Sequence, residues 1–236
     1  GILAWGAENK SMLRSLGWHL NHWASLVLEA PCPLCRRFSP QSLCGDCARR
    51  VQDCAIAPEW QQHSIPVLPW GRYEGSLKRA IAALKYEANP YLAHPLGDWL
   101  AASWKASQPP ATPLTVVPIP LHREKLKTRG FNQAEWLARR FCAQTKLPLL
   151  AHGLERIRAT QAQFQVAGRD RQQNLQGAFR VGQSLLTRKA PTSVLLLDDI
   201  YTTGATAYTA AQTLRQQGIA VRGMVVLAMA YPDRRA

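Results

Sequence analysis

Asp198 and Asp199 stand side by side at the end of an apolar run, and a small, hydroxyl-rich stretch, Ile200-Tyr201-Thr202-Thr203-Gly204-Ala205-Thr206, follows them. Two adjacent carboxylates do not attract a phosphate, but they accept hydrogen bonds well, and the vicinal hydroxyls of a ribose are suited donors. The stretch after them has the opposite preference. Its side chains are small enough for backbone N–H groups to close around an anion, and its threonine hydroxyls add donors. The positive end of a following helix would face the same point. Acids beside a phosphate loop point to a ribose 5-phosphate.

These groups have to be positioned, and the neighbouring sequence supplies the elements. Residues 192–197 are β-branched and leucine-rich, as a strand buried on both faces of a parallel sheet should be. Such a strand delivers the acids to the carboxyl edge of the sheet, where ligands sit in open α/β folds. A helix is expected over roughly 206–217, ended by Gly218. Upstream, 66–72 reads as a strand, and a helix beginning near Ser76 carries Lys85 close to its end. Residues 92–104 read as a second helix, 108–113 as a loop and 114–117 as a strand closed by Pro118-Ile119-Pro120. A proline-bounded turn is rigid and can present backbone N–H groups to an anion. Arg123, Lys125, Lys127 and Arg129 follow at once, so two or more cations can reach the same crevice edge, with an ordinary basic loop as the alternative. A helix over 132–145 then returns the chain to the sheet.

Cys32-Pro33-Leu34-Cys35 and Cys44-Gly45-Asp46-Cys47 are two C-x-x-C knuckles joined by a short loop. Four thiolates at this spacing close a tetrahedron around zinc and leave no open position, so the expected role is structural. Disulfides or a redox dithiol are the alternatives, and no secretion signal favours them. Cys54 and Cys142 remain, and both are expected to be buried thiols.

The chain of 236 residues is 47% hydrophobic, enough for one full core with a small appendage. Its formal charge of +14 is concentrated between Leu121 and Lys189, where 14 Lys or Arg face 4 Asp or Glu. A basic face of this kind suits a pyrophosphate pocket or a nucleic acid, with salt-dependent binding in the second case. Near the start, Leu13, Leu16, Leu20, Trp23, Ala24 and Val27 recur at helical spacing. Their segment is too short and polar to span a bilayer, and it is expected to pack on the cysteine module or a partner, with peripheral membrane contact as the alternative. His19 and His22 are expected on its exposed side. Met12 resembles a native start, so 1–11 reads as an upstream extension.

An apolar strand followed by Asp198-Asp199-x-x-Thr202-Thr203-Gly204-x-Thr206 resembles the phosphoribosyl pyrophosphate (PRPP) loop of type I phosphoribosyltransferases. Further motifs narrow the likeness. Pro118-Ile119-Pro120-Leu121-His122, Arg129-Gly130-Phe131-Asn132-Gln133, Tyr73-x-Gly75 and Leu84-Lys85-Tyr86 resemble the ComF family, also called GntX or ComFC-like, as do Thr160 with Gln163 and Arg171-x-x-Asn174-x-x-Gly177-Ala178-Phe179. The two knuckles stand where that family carries its own, and the likeness spans about residues 30–230. Lys125 departs from it, since the family usually has arginine there, which can grip phosphate with two nitrogens.

The resemblance implies an α/β fold, a type I phosphoribosyltransferase-like parallel sheet flanked by helices with a small N-terminal zinc module. The expected division is 1–30 as extension and amphipathic helix, 31–58 as zinc module and 59–236 as the phosphoribosyltransferase-like domain. Asp198, Asp199 and Arg129 would carry catalysis. PRPP would be bound by the two acids, by Thr202, Thr203, Gly204, Ala205 and Thr206, and by Pro118, Ile119, Arg123, Lys125 and Lys85. Mg²⁺ would accompany PRPP, and Cys32, Cys35, Cys44 and Cys47 would hold zinc. Residues 156–176 resemble the flap that closes over substrate, with a plain surface hairpin as the alternative. The family is associated with natural competence, so the implied function is uptake or handling of single-stranded DNA beside proteins of the uptake machinery. The implied place is the cytoplasm, with the inner face of the membrane as the alternative station. An active phosphoribosyltransferase is the competing expectation, although no residue set identifies an acceptor. Trp70, Tyr73, Tyr86 and Phe131 are candidate base-stacking residues, with the core as the preferred place for all four.

Overall fold

Alternation of side chains across a strand explains how this sheet is covered. On the strands β3 (Val67–Arg72), β4 (Thr115–Pro118), β7 (Ser193–Tyr201) and β8 (Ala220–Met229), neighbouring apolar residues point to opposite faces. Leu68, Trp70, Val116, Leu195, Leu197, Val225 and Leu227 enter one buried cluster, and Val67, Val117, Val194, Leu196, Met224 and Val226 enter another. Both faces are therefore dry, as in doubly covered parallel sheets. Each such side chain contributes about 1.5–3 kcal/mol when fully buried. These relations are taken from a computed structural model, which describes residues 30–87, 89–109, 112–158, 177–187 and 190–231. The expected amphipathic helix and most of the expected flap lie outside the described residues.

The strands run parallel in the order β3-β8-β7-β4. The helices α2 (Gly75–Tyr86), α3 (Ala93–Ala106) and α5 (Gln133–Thr145) cover the first face. The second is covered by α6 (Ala205–Arg215) and by the antiparallel pair β5 (Leu154–Arg156) and β6 (Phe179–Val181). From β4 the chain passes through α5 and adds Leu149 outside β4; from β7 it passes through α6 and adds β8 on the opposite side. The two connections leave in opposite directions. A crevice between the carboxyl ends of β4 and β7 follows from this reversal, and such a switch point is where open α/β sheets bind ligands.

The cysteine segment comprises the short pair β1 (Ala30–Pro31) and β2 (Phe38–Ser39) and the helix α1 (Gly45–Gln52). Its Cys32, Leu43, Cys47 and Val51 belong to the same buried cluster as the first face of the sheet. The Arg79 guanidinium donates to the Leu34 carbonyl, which ties α2 to the first knuckle. Residues that follow α1 cover the free edge of β3, with Arg72 N–H donating to Cys54 O and Ile56 N–H to Trp70 O, at 2.9 and 3.0 Å. Among the described residues no helix is long and apolar enough to cross a membrane.

The expected elements at 66–72, 92–104, 114–117, 132–145 and 206–217 are all present within about two residues, and Gly218 ends its helix at φ +75. Residues 123–129 carry no helical expectation from the sequence. They form a helix, α4 (Arg123–Arg129), in which the His122 ring nitrogen accepts from Glu124 N–H and Gly130, at φ +82, closes the last turn. Cys54 is half-buried rather than buried, with its thiol donating to the carbonyls of Arg50 and Glu74.

Candidate functional site

The strand carrying the acids runs further than its apolar run indicates. Asp198 pairs with Val226, Ile200 with Ala228 and Tyr201 with Met229, so β8 gives β7 a partner up to Tyr201. On the other side β4 stops at Pro118, opposite Leu197. Both acids therefore lie in a strand supported on one side and open to the crevice on the other. Asp198 is half-buried and Asp199 is buried, with 3% of its surface exposed.

Asp199 is already engaged. The Lys85 ammonium, from the last turn of α2, pairs with its Oδ2, and the Gln133 side-chain amide, from the first turn of α5, donates to Oδ1 at 3.1 Å. Arg129 donates to the Gln133 Oε1. A continuous chain thus runs from Lys85 through Asp199 and Gln133 to Arg129. Burial opposes the charge on Asp199, but the Lys85 ammonium overrides it and holds the carboxyl below the usual range. Burial likewise opposes the charge on Lys85, and Asp199 raises it above the usual lysine range. Asp198 differs: burial and then the Asp199 charge push it well above the carboxylate range, against the Asp199 N–H that donates to its Oδ1 at 2.8 Å.

Beside the acids lies a cavity of about 420 Å³, lined by Lys85, Tyr86, Glu124, Lys125, Thr128 and Arg129. Helix α4 makes this lining possible, because positions 124, 125, 128 and 129 share one face. Arg123 and Lys127 are exposed outside it, and Arg123 adds to Arg180, the main cause, in lowering the Glu155 carboxyl. Partial burial and then Arg156, Arg129 and Lys85 push the Lys125 ammonium below the usual lysine range. Four cations therefore share one field, and Lys85 forms a close ion pair with Asp199. An arrangement of this kind favours a polyanion. Arg156 reaches it from β5, over the ring of Phe179 at 5.6 Å and within the field of Asp198.

The turn at Pro118-Ile119-Pro120 contributes rigidity. Its one N–H, on Ile119, donates to Leu197 O at 2.9 Å, and its Ile119 carbonyl accepts from the Asn132 side chain at 3.0 Å. That N–H is therefore turned into the sheet rather than toward an anion. Asn132 also caps α5 by accepting from Ala134 N–H, which fixes the register of Gln133.

Thr202 and Thr203 are exposed in the bend after β7, and Gly204 forms the N-cap of α6. Gly204 has φ +78, and a Cβ there would overlap the Tyr201 hydroxyl, so only glycine fits both the backbone and the neighbour. Among the described residues no side chain caps the start of α6. Its first N–H groups, from Ala205 and Thr206 onward, thus face the bend with the positive end of the helix behind them.

Of the four aromatic candidates, Trp70 is buried against Trp99 in a stack of 5.5 Å. Tyr73 and Phe131 are half-buried, and Tyr86 is 77% exposed at the cavity, with the Arg129 guanidinium 5.4 Å from its ring centre. The preferred core placement thus holds for Trp70 and fails for Tyr86, whose position in the last turn of α2 carries it past the core. Gln133 and Arg156 were not assigned to the site from sequence, the first because a neutral amide carries no charge signal, the second because β5 pairs with a distant segment.

The thiols of Cys32, Cys35, Cys44 and Cys47 all lie within 4.8 Å of one another. A tetrahedral ion with bonds of about 2.3 Å has edges of about 3.8 Å, so the four are placed to hold a metal ion. Arg36, at φ +65, turns the first knuckle, and its N–H donates to Cys32 O at 2.7 Å. Cys44 caps the start of α1 and Cys47 lies in its first turn, so one short helix delivers both sulfurs to the cluster.

No family model matches the chain. It is 27% identical over 180 residues to competence protein F of Haemophilus influenzae, covering 75% of this chain and 73% of that protein. It is also 27% identical over 219 residues to the DNA utilization protein YhgH of Salmonella typhimurium, covering 83% and 95%. Against competence protein ComFC of Bacillus subtilis the identity is 27% over 196 residues, covering 79% and 72%. The likeness to ComF-type proteins read from the motifs therefore extends over most of the chain. Among solved structures, adenine phosphoribosyltransferase from Leishmania tarentolae matches with a TM-score of 0.38 at 11% identity, covering 72% of this chain and 94% of that one. The enzyme from Trypanosoma brucei matches with a TM-score of 0.37 at 12% identity, covering 78% and 79%.

Proposed function

We propose that this protein handles single-stranded DNA in competence-type uptake or utilisation, on a phosphoribosyltransferase-type scaffold that binds PRPP with Mg²⁺. Similarity to proteins named for competence and DNA utilization supports the first half. The observation that carries the second is the convergence at the switch point. Half-buried Asp198, the uncapped start of α6 and the cations of the cavity offer a ribose acceptor, a phosphate donor set and a polyanion field side by side. In this reading the bend at 202–206 receives the 5′-phosphate, Asp198 accepts from ribose hydroxyls, and Lys85, Lys125, Arg129 and Arg156 face the pyrophosphate. Mg²⁺ comes as the companion of PRPP, on phosphate oxygens and water. Zinc is the ion for the four thiolates, and its work is to hold a segment that has few apolar residues of its own. The protein acts in the cytoplasm, or at the inner face of the membrane, beside proteins of the uptake machinery.

A second reading, transfer of the phosphoribosyl group to a base or amine, is favoured by the same cations, which would stabilise a departing pyrophosphate. One experiment separates the two. A labelled single-stranded oligonucleotide is titrated at increasing salt while pyrophosphate release from PRPP is followed with and without added bases. DNA handling predicts log affinity falling by about 0.7 per neutralised phosphate for each unit of log salt, without release. Release that depends on an added base supports the transferase, and no binding at low salt removes the DNA reading.

A further inference from the structure

We infer that the two acids of the strand divide their work: Asp198 faces the ligand, while Asp199 is a positioning residue that, through Gln133, holds Lys85 and Arg129 as one unit on the polyanion cavity. The inference rests on the ribose phosphate reading of this pocket. Both oxygens of Asp199 are engaged from inside the protein, Oδ2 by the Lys85 ammonium and Oδ1 by the Gln133 amide. Asp199 is 3% exposed, which leaves it little surface to offer a ribose hydroxyl. Gln133 passes the constraint on, because its other amide atom, Oε1, accepts from Arg129. Lys85 and Arg129 line the same cavity from α2 and α4, two elements that share no backbone ladder. Asp199 and Gln133 join the two cations through hydrogen bonds, beside the contact of the Arg129 guanidinium with the Tyr86 ring. A lysine is a flexible point charge and loses rotamer freedom when it grips an anion. Fixing it beforehand removes that cost from binding.

The arrangement makes a prediction whose sign is opposite to simple electrostatics. Removing a carboxylate beside an anion site should tighten anion binding if charge alone matters. If Asp199 positions the cations, its removal loosens them and weakens binding. The test is calorimetric titration of two partial ligands, inorganic pyrophosphate with Mg²⁺ and ribose 5-phosphate, into wild type, Asp199→Asn, Asp198→Asn and Gln133→Leu. Asp199→Asn is expected to weaken pyrophosphate about tenfold, the equivalent of one charge-assisted hydrogen bond, and to leave ribose 5-phosphate near wild type. Asp198→Asn is expected to do the reverse. Gln133→Leu, which keeps every charge, should weaken pyrophosphate in the same direction as Asp199→Asn. Pyrophosphate bound as well as or better than wild type by Asp199→Asn, or ribose 5-phosphate lost in it as in Asp198→Asn, overturns the division of labour while the pocket reading stands. Wild type binding neither ligand overturns both.

Discussion

Replacing Lys85 by methionine keeps an unbranched side chain out to Cε and removes the ammonium, leaving Asp199 with the Gln133 amide. In the pair, 16% of the Lys85 side chain and 5% of the Asp199 side chain are exposed, so water compensates little. Breaking a buried ion pair from one side costs about 3–5 kcal/mol; the retained bond from Gln133 places this case near the lower end, about 3 kcal/mol or roughly 150-fold in the folding equilibrium. The loss depends on pH in a defined direction. In wild type the Asp199 carboxyl is held below its ordinary value, so its contribution is present above the unfolded value, about 3.9, and disappears as pH falls through the folded one. In Lys85→Met burial, the largest influence on Asp199, outweighs the remaining hydrogen bond from Gln133 and raises that carboxyl, so the folded variant takes up a proton and its deficit narrows from pH 7 to pH 5. Urea unfolding at both pH values measures this. Lys85→Met/Asp199→Asn should be more stable than the sum of the single losses by about 2 kcal/mol, because it leaves no unpaired charge. A deficit below about 1 kcal/mol for Lys85→Met, or equal deficits at both pH values, would refute the reasoning.

Three further outcomes are expected. Gly204→Ala should cost about 1–2 kcal/mol for the left-handed backbone, with more for displacing the Tyr201 hydroxyl, and Tyr201→Phe in the same chain should recover part of it; a melting temperature equal to wild type would contradict the fit. Metal analysis should find about one zinc per chain, and a strong chelator or Cys47→Ser should lower the melting temperature; a metal-free protein of unchanged stability would contradict the four-thiolate site. With that site loaded, a thiol reagent should label half-buried Cys54 well before Cys142, whose thiol is pushed up to about 12 by burial, and equal rates would contradict the packing.

The parts of this fold legible in the sequence are those decided locally. Apolar runs marked β3, β4 and β7, Asn132 marked the start of α5, Gly218 the end of α6, and cysteine spacing the metal cluster. What was hidden depends on partners distant in sequence. The strand through Asp198 to Tyr201 contains acids that discourage a strand assignment, and only the length of β8 beside it keeps the ladder going. Arg123–Arg129 reads as a run of cations, and its helix rests on a histidine cap that is outside the usual set and on Gly130. Arg156 joins the charged field of Lys125 and Asp198 because β5 pairs with β6 across a long stretch of chain. The engagement of Asp199 was equally invisible, since a pair of acids in sequence carries no sign of which one an internal lysine will take.

The central claim is that the switch point binds PRPP, and calorimetric titration of PRPP with Mg²⁺ into wild type and Asp198→Asn/Asp199→Asn tests it most directly, with a single-stranded oligonucleotide titrated into both. The account predicts PRPP binding in wild type that is lost in the double variant, with both proteins still folded by their melting curves. No PRPP binding by wild type, with DNA bound equally by the two proteins, would contradict it and place the function on the basic surface alone.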